Sequence, residues 1–471
     1  MFRFSIHLTA LACALAGPAL AVAPSSSASV HDDAGRRAAA TAFLAEYAQG
    51  ATAPPRLAVT TLADAGPGSL RDAVAQANAQ PGLAVVEIDA ALEGTIQLVE
   101  GALRITDSVL IVGPGADRLS LDAGGRHSVI ATASYVFDSI DVGLLGMTIR
   151  GGAAARGAGI VSSSTHLFLG YTIVEDNDTT NSIDEELGGG LYLRGGSLKI
   201  DRSTFRRNSA SSAGGGMSVL DAPVSIRDST IQSNFAKRGG GLHIDTPYAV
   251  DVRRSLVTLN QSSIRGAGID LNASGAEAVF ENVTISSNFV FGDQPTASGG
   301  GMALAGSARI SQSTIANNRA QTPSVRDPDR AAGLQYDSAQ GRLVLSATLL
   351  WGNATLDDGN VDLGRHGGNG GGVEAYYSLI GVKTPEAVNY AEEGNLYATD
   401  PLLGPLADNG GPTWTNAIAA NSPARDAVTW IQYYAVTDQR GFVRRQRGDT
   451  VPDIGAYEYG ADRLFANGFD G

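Results

Sequence analysis

The side chains with the widest chemical capacity in this chain lie in short alternating stretches that each follow a glycine run: Leu191-Tyr192-Leu193-Arg194, Leu242-His243-Ile244-Asp245 and Ile269-Asp270-Leu271-Asn272. A strand sends successive side chains to opposite faces, so Tyr192, Arg194, His243, Asp245, Asp270 and Asn272 are expected on one outward face. If the strands stack, His243 and Asp245 lie about 4.8 Å from Asp270 and Asn272. A histidine beside carboxylates can bind sugar hydroxyls, hold a metal ion, or serve as acid and base. An ordinary polar wall has the same composition. These six are the candidate ligand-binding residues.

A second outward set, Asp201, Arg227, Arg253 and Glu281, could imitate the carboxylates and cationic base of a calcium-dependent lyase, but it reads equally as complementary charges on a solvated wall. Two stretches are rich in oxygen ligands suited to calcium: Asn177 to Glu186, and Asp357-Asp358-Gly359-Asn360-Val361-Asp362. Neither has the spacing of a defined calcium loop, so solvated acidic loops are expected. There is no Gly-x-Ser-x-Gly elbow, and no Gly-Lys-[Ser/Thr] follows a glycine run. The sequence therefore assigns no catalytic residue, no metal ligand and no cofactor, with calcium the one ion considered.

What positions these residues is a degenerate repeat. Asn177, Asn208, Asn234, Asn260, Asn288, Asn318 and Asn353 each follow a short β-branched or aromatic stretch, at spacings of 31, 26, 26, 28, 30 and 35 by subtraction. Such a period means stacked coils. Asparagine tolerates left-handed backbone angles, and its amide both donates and accepts, so amides one coil apart can form a hydrogen-bonded ladder. The strands before this column alternate, as in Leu198-Lys199-Ile200-Asp201 and Val224-Ser225-Ile226-Arg227, which describes a wall buried on one side. Glycine runs at Gly188, Gly214, Gly239, Gly266 and Gly299 recur at one phase, which predicts a tight bend where backbones pass close together. The longer insertions, Asp178 to Leu187, Phe289 to Ser298 and Arg319 to Ala332, all leave from the same edge, where solenoids often bind.

Met1 to Ala21 has a positive start, an apolar stretch and a small-residue cleavage site, the pattern of a secretory signal. Export to the cell surface or beyond is expected. The only cysteine, Cys13, lies inside that signal, so the mature chain has no disulfide. A net charge of -14 argues against nucleic acid or anionic membrane as partner. No later stretch is apolar for the length a membrane helix needs. The chain divides into a signal (1–21), a leader or spacer (22–56) with a short helix from Asp33 to Gln49, an N-terminal cap with first coils (57–140), the main coils (141–383), a C-terminal region (384–459) and a sorting tail (460–471). Ser69 and Asp72 have capping-box spacing ahead of Leu70, Ala73, Val74 and Ala77 on one face, which predicts a helix able to plug the open end of the stack.

With these elements in view, the chain resembles right-handed parallel β-helix proteins with polymorphic-outer-membrane-type repeats, through Gly241-Leu242 and Phe205-Arg206-Arg207-Asn208. Val59 to Asp64 and Gly66 to Ala73 resemble the CSLREA-type N-terminal region, with Gly68 in place of its cysteine. Asp400-Pro401-Leu402-Leu403, Asn409 to Thr413, Ser422-Pro423-Ala424, Asp438-Gln439-Arg440-Gly441 and Asp453 to Glu458 resemble the choice-of-anchor Q region, departing from it at Arg425. The resemblance implies an all-β, right-handed single-stranded parallel β-helix with a short N-terminal capping helix. The paired-aspartate, Gly-His-Gly and Arg-x-Lys motifs of polygalacturonases are absent. The expected function is adhesion or binding of a polysaccharide or surface glycan without catalysis. A polysaccharide lyase or glycoside hydrolase is the alternative, and a structural surface spacer a third. Oligomeric state is left open.

Overall fold

The structure, a computed structural model, describes residues 32–48, 53–133, 139–179, 187–292, 297–321, 329–355, 359–366, 371–430, 435–444 and 451–461. It is a right-handed parallel β-helix whose walls are sheets of 19, 12 and six strands among the described residues. Side chains of one kind repeat at each level. Leu191, Met217, Leu242, Ile269, Met302, Leu334 and Leu363 are successive partners on the first wall. Phe205, Ile231, Val257, Ile285, Ile315, Leu350 and Ile380 do the same on the second. Both columns are buried in one continuous core. The period-two pattern in sequence thus becomes two facing apolar stacks, with the alternate side chains outside.

The asparagine column forms the expected ladder. Each side-chain Nδ2 donates to the Oδ1 of the next asparagine over 2.8–3.0 Å, from Asn177 through Asn353. Each Oδ1 also accepts the backbone N–H of the preceding column residue, and each Nδ2 reaches a strand carbonyl such as Val174 or Phe205. The left-handed conformation, however, belongs to the residue before each asparagine: Asp176, Arg207, Ser233, Leu259, Ser287, Asn317 and Gly352 all have φ between 54° and 68°. The amide, fully engaged in the ladder, fixes the turn, and its neighbour takes the strained angle. At the downstream end Asp362 substitutes for an asparagine, its Oδ1 accepting from Asn353 Nδ2 at 2.7 Å and its Oδ2 from Val382 N at 2.8 Å. Asp362 is therefore a terminator of the ladder, buried at 1% exposure where its stretch was expected to be a solvated acidic loop. Burial pushes its carboxyl up to about 6, against the hydrogen bonds from Asn353 and Val382.

A second polar column runs parallel to the asparagines. Hydroxyls of Ser203, Ser229, Ser255, Ser313 and Ser378 accept backbone N–H groups from the preceding coil at the other corner, over 3.1–3.2 Å. The glycine bends are as close as expected. A Cβ on Gly215 would sit 2.3 Å from Phe235 O and 2.5 Å from Gly240 O, both backbone atoms.

The Leu70–Asn78 helix is capped by Ser69, whose side chain accepts from Asp72 N at 3.1 Å. Its Leu70, Ala73, Val74 and Ala77 enter the core at the N-terminal end, where the first strands would otherwise expose it. The Asp33–Tyr47 helix lies in the segment expected to be a leader or spacer, yet it is docked: Phe43 is buried against Leu110, Leu145 and Phe168 on the outside of the large sheet. Glu46–Lys199 and Asp32–Arg202 ion pairs, at 2.9 and 3.1 Å, flank that contact.

The C-terminal region doubles back over the 12-stranded wall. Thr413 Oγ1 donates to Arg254 O, Thr284 Oγ1 to Gln439 Oε1, and Asn282 Nδ2 to Thr437 O. Beneath it Arg444, fully buried, donates to Glu458 Oε2 at 3.0 Å, Asn282 Oδ1 at 2.8 Å and Gly455 O at 2.8 Å. The Asp438–Arg440 pair is buried beside it at 2.6 Å. Burial, then the Glu458 charge, push the Asp453 carboxyl up to about 7. These motif residues hold the region to the coils.

Candidate functional site

Strand register brings four of the six candidate residues together: His243 pairs with Asp270 and Asp245 with Asn272. Tyr192 and Arg194 lie two coils before His243 and Asp245 in the same columns, separated from them by Ser218 and Leu220. All were expected on an open outer face, and the structure divides them. Asp245 and Asn272 form an exposed pair, Asn272 Nδ2 donating to Asp245 Oδ1 at 2.9 Å. Arg194 is exposed and 3.4 Å from Asp221. Tyr192 and Asp270 are buried, at 5% and 1% exposure. The cause is local: residues just before the glycine bends fold their long side chains over the first outward position of the strand. Arg156 covers the Tyr192 ring at 5.9 Å, and Arg238 and Arg265 close over Asp270. Sequence alternation gives the face of a strand, whereas this cover comes from residues at the preceding corner.

Asp270 is consequently the centre of an ionic cluster. Its Oδ2 lies 3.2 Å from His243 Nδ1 and 3.4 Å from Arg238 Nε, and its Oδ1 lies 2.9 Å from Arg265 Nη2. Burial alone would raise its pKa, but the His243 hydrogen bond and the Arg265 and Arg238 charges outweigh it and hold the carboxyl below its ordinary range. The Arg265 contact is misaligned, so Asp270 Oδ1 has proximity without a hydrogen bond, and Arg265 Nε is also buried without an acceptor. Removing Asp270 would leave three cation-capable groups crowded together, so its first role is to hold them.

Ser218, His243 and Asp270 are in register on three successive coils. That order has the residue types of a nucleophilic triad but not its geometry, because Ser218 is fully buried and its hydroxyl has no hydrogen bond to His243. The other outward set is engaged in ion pairs: Arg253 meets Asp251 and Glu281, each at 2.7 Å, and Arg227 meets Asp251 at 3.0 Å. Asp201 stands apart from those pairs, its carboxyl raised by burial and by the nearby Asp228 charge.

Among the described residues no three His, Cys, Asp or Glu side chains converge as a metal-binding set. Most of the stretch from Asn177 to Glu186, together with Asp357 and Asp358, lies outside the described residues, as does the tail after Ala461. The loop insertions at 293–296 and 322–328 lie outside them too. No helix among the described residues is long and apolar enough to cross a membrane.

The right-handed β-helix region family matches residues 142–320. No curated protein matches the chain. Among solved structures, the pectate lyase Pel9A is similar over 87% of this chain and 97% of its own, at 14% sequence identity and a TM-score of 0.42. A likeness of that size bears on neither ligand nor activity.

Proposed function

We propose that this chain works at the cell surface or outside the cell as a polysaccharide-binding or adhesive β-helix, without catalysis. The supporting observation is the exposed Asp245–Asn272 pair, set beside His243 and the Asp270 cluster on consecutive coils. A carboxylate and an amide at strand spacing offer acceptors and donors to neighbouring sugar hydroxyls, and a rigid wall holds them in place without ordering cost. The C-terminal region packs on a different wall, the 12-stranded one. Against catalysis, the Asp270 carboxylate is held ionised by its cations, Arg227, Arg253 and Glu281 are engaged in ion pairs, and Asp228, the carboxylate near Asp201, is itself paired with Arg254. A glycosidase needs one protonated and one ionised carboxyl across the scissile bond.

The test presents bacterial, plant and algal polysaccharides to the full chain and measures both retention and release of reducing or unsaturated ends. Retention without release is expected, with Asp245→Ala and Asn272→Ala weakening it. Release of chain ends that one carboxylate substitution abolishes would replace this reading with an enzymatic one. Retention of no polymer would leave the structural spacer.

A further inference from the structure

The six-stranded sheet carries a feature that the polar wall does not. Phe235, Gln261, Phe289 and Arg319 are successive partners along it. Their neighbours Ala236, Ser262, Val290 and Ala320 are buried, so the outward column is the one bearing aromatic rings. Phe235 and Phe289 are joined by Phe291: its ring centroid is 5.9 Å from Phe235, at an interplanar angle of 20°, and 6.1 Å from Phe289. All three rings are only partly buried. At the end of the Phe235 strand stand Lys237 and Arg238, both exposed, with Arg265 on the next coil, and Arg319 is exposed on the coil after Phe289. A chain of net charge -14 thus places several cations around one aromatic shelf.

We propose that this shelf is the subsite that selects an acidic polysaccharide, a deepening that rests on the polysaccharide-binding reading above. The apolar face of a sugar ring lies on Phe289 and Phe291, and the carboxylate or sulfate of the same or an adjoining unit is taken by the exposed Lys237, Arg238 and Arg319. Arginine offers a planar fork to either oxyanion. Charge complementarity here is local, a few cations on an acidic body. That suits anionic groups spaced along a sugar polymer better than a dense polyanion, which the remaining negative surface would repel. Coils stacked about 4.8 Å apart also present their side chains at an interval close to the length of one sugar unit.

The experiment measures dissociation constants of the full chain for alginate, dextran sulfate and neutral dextran across a salt series, with duplex DNA and anionic phospholipid vesicles as competitors. Binding to either acidic polymer, or to both, with dextran at least about tenfold weaker, is expected, and the two acidic arms show whether carboxylate or sulfate is preferred. Phe289→Ala and Phe291→Ala should each weaken acidic-polymer binding about tenfold, whereas Phe289→Tyr, which keeps a stacking face, should stay within about twofold. Lys237→Ala with Arg319→Ala should flatten the salt dependence, as expected when cations contact the polymer charges. If dextran binds as tightly as the acidic polymers and the aromatic variants bind normally, the acidic subsite is wrong while polysaccharide binding stands. If no polymer binds, both fall. Tighter binding of DNA or vesicles than of either acidic polymer overturns the proposal as well.

Discussion

Replacing Asn234 by alanine removes one rung from the middle of the ladder, and the structure sets the size of the loss. Its Oδ1 accepts from Asn208 N and Asn208 Nδ2, both at 3.0 Å, and its Nδ2 donates to Phe205 O and Asn260 Oδ1, again at 3.0 Å. After truncation Asn208 Nδ2 still has Val174 O, and Asn260 Oδ1 still accepts Asn234 N. Asn208 N has no such second acceptor and is left buried and unpaired. That donor costs about 1–3 kcal/mol, and the other lost bonds about 1 kcal/mol each in net terms. The expected loss is therefore about 4–6 kcal/mol. Asn177→Ala supplies the internal comparison, because its Oδ1 accepts only a backbone N–H, that of Gly152, from the coil upstream. It should cost about 1 kcal/mol less. Equilibrium urea unfolding of both variants, with hydrogen exchange at the Asn208 amide, measures the difference. Polysaccharide affinity should stay within about twofold, since the column faces neither proposed ligand surface. A loss below about 1 kcal/mol for Asn234→Ala, or a larger one for Asn177→Ala, would refute the ladder as a major stabilising element.

Gly215→Ala should fail to give a stable fold, because its Cβ meets two backbone oxygens that cannot yield, whereas Gly125→Ala, which meets nothing within 4 Å, should cost only about 1 kcal/mol for its positive φ; thermal melts compare the two. Phe43→Ala should undock the Asp33–Tyr47 helix, raising hydrogen exchange there by a factor corresponding to about 2–4 kcal/mol, while exchange in the Asn208 to Asn318 coils is unchanged. Asp453, with its carboxyl at about 7 when folded against an ordinary 3.8, binds its proton more tightly in the folded state. Its protonation therefore favours folding progressively as pH falls from about 7 towards 4, and that gain is lost as pH rises through 7. The full span is on the order of 4 kcal/mol. Exchange at the Asp426 and Tyr459 amides, which donate to this carboxylate, should quicken from pH 5.5 to 8, and Asp453→Asn should flatten that trend.

The parts of this molecule legible in its sequence are those that recur. One Leu-x-Leu strand is ambiguous, but repeated alternation at one phase leaves room only for a coil wall, and glycine runs at a fixed phase announce the close approach seen at Gly215. The serine column was equally available: Ser203-Thr204, Ser229-Thr230 and Ser313-Thr314 recur at fixed distance ahead of the asparagines, a signal eclipsed by the more distinctive amide. What the sequence concealed depends on long side chains reaching between coils. Alternation correctly puts His243 and Asp270 on an outer face, yet Asp270 is closed over by Arg238 and Arg265 from the corner behind it. The Phe235, Phe289 and Phe291 shelf escaped for a related reason, since its rings come from different coils and two of them lie at the start of a loop insertion of irregular length.

This difference separates stability from recognition in the molecule. The asparagine ladder, serine column and glycine bends are nearly identical at successive levels, so each level supports its neighbours and none distinguishes a ligand. Distinctness arises where the repeat is broken by composition: His243 and Asp270 where other coils carry Ser218 or Ala303, and paired aromatic residues where other coils carry Gln261 or Arg319. A solenoid can change such outward positions one coil at a time at little cost to its core, because only the inward column fills the interior. Recognition on this chain is therefore expected to be modular. Exchanging Phe289 should alter ligand choice while leaving the Asn208 amide protected, and exchanging Asn234 should do the reverse. Loss of both properties from either substitution would show that ladder and shelf are one cooperative unit.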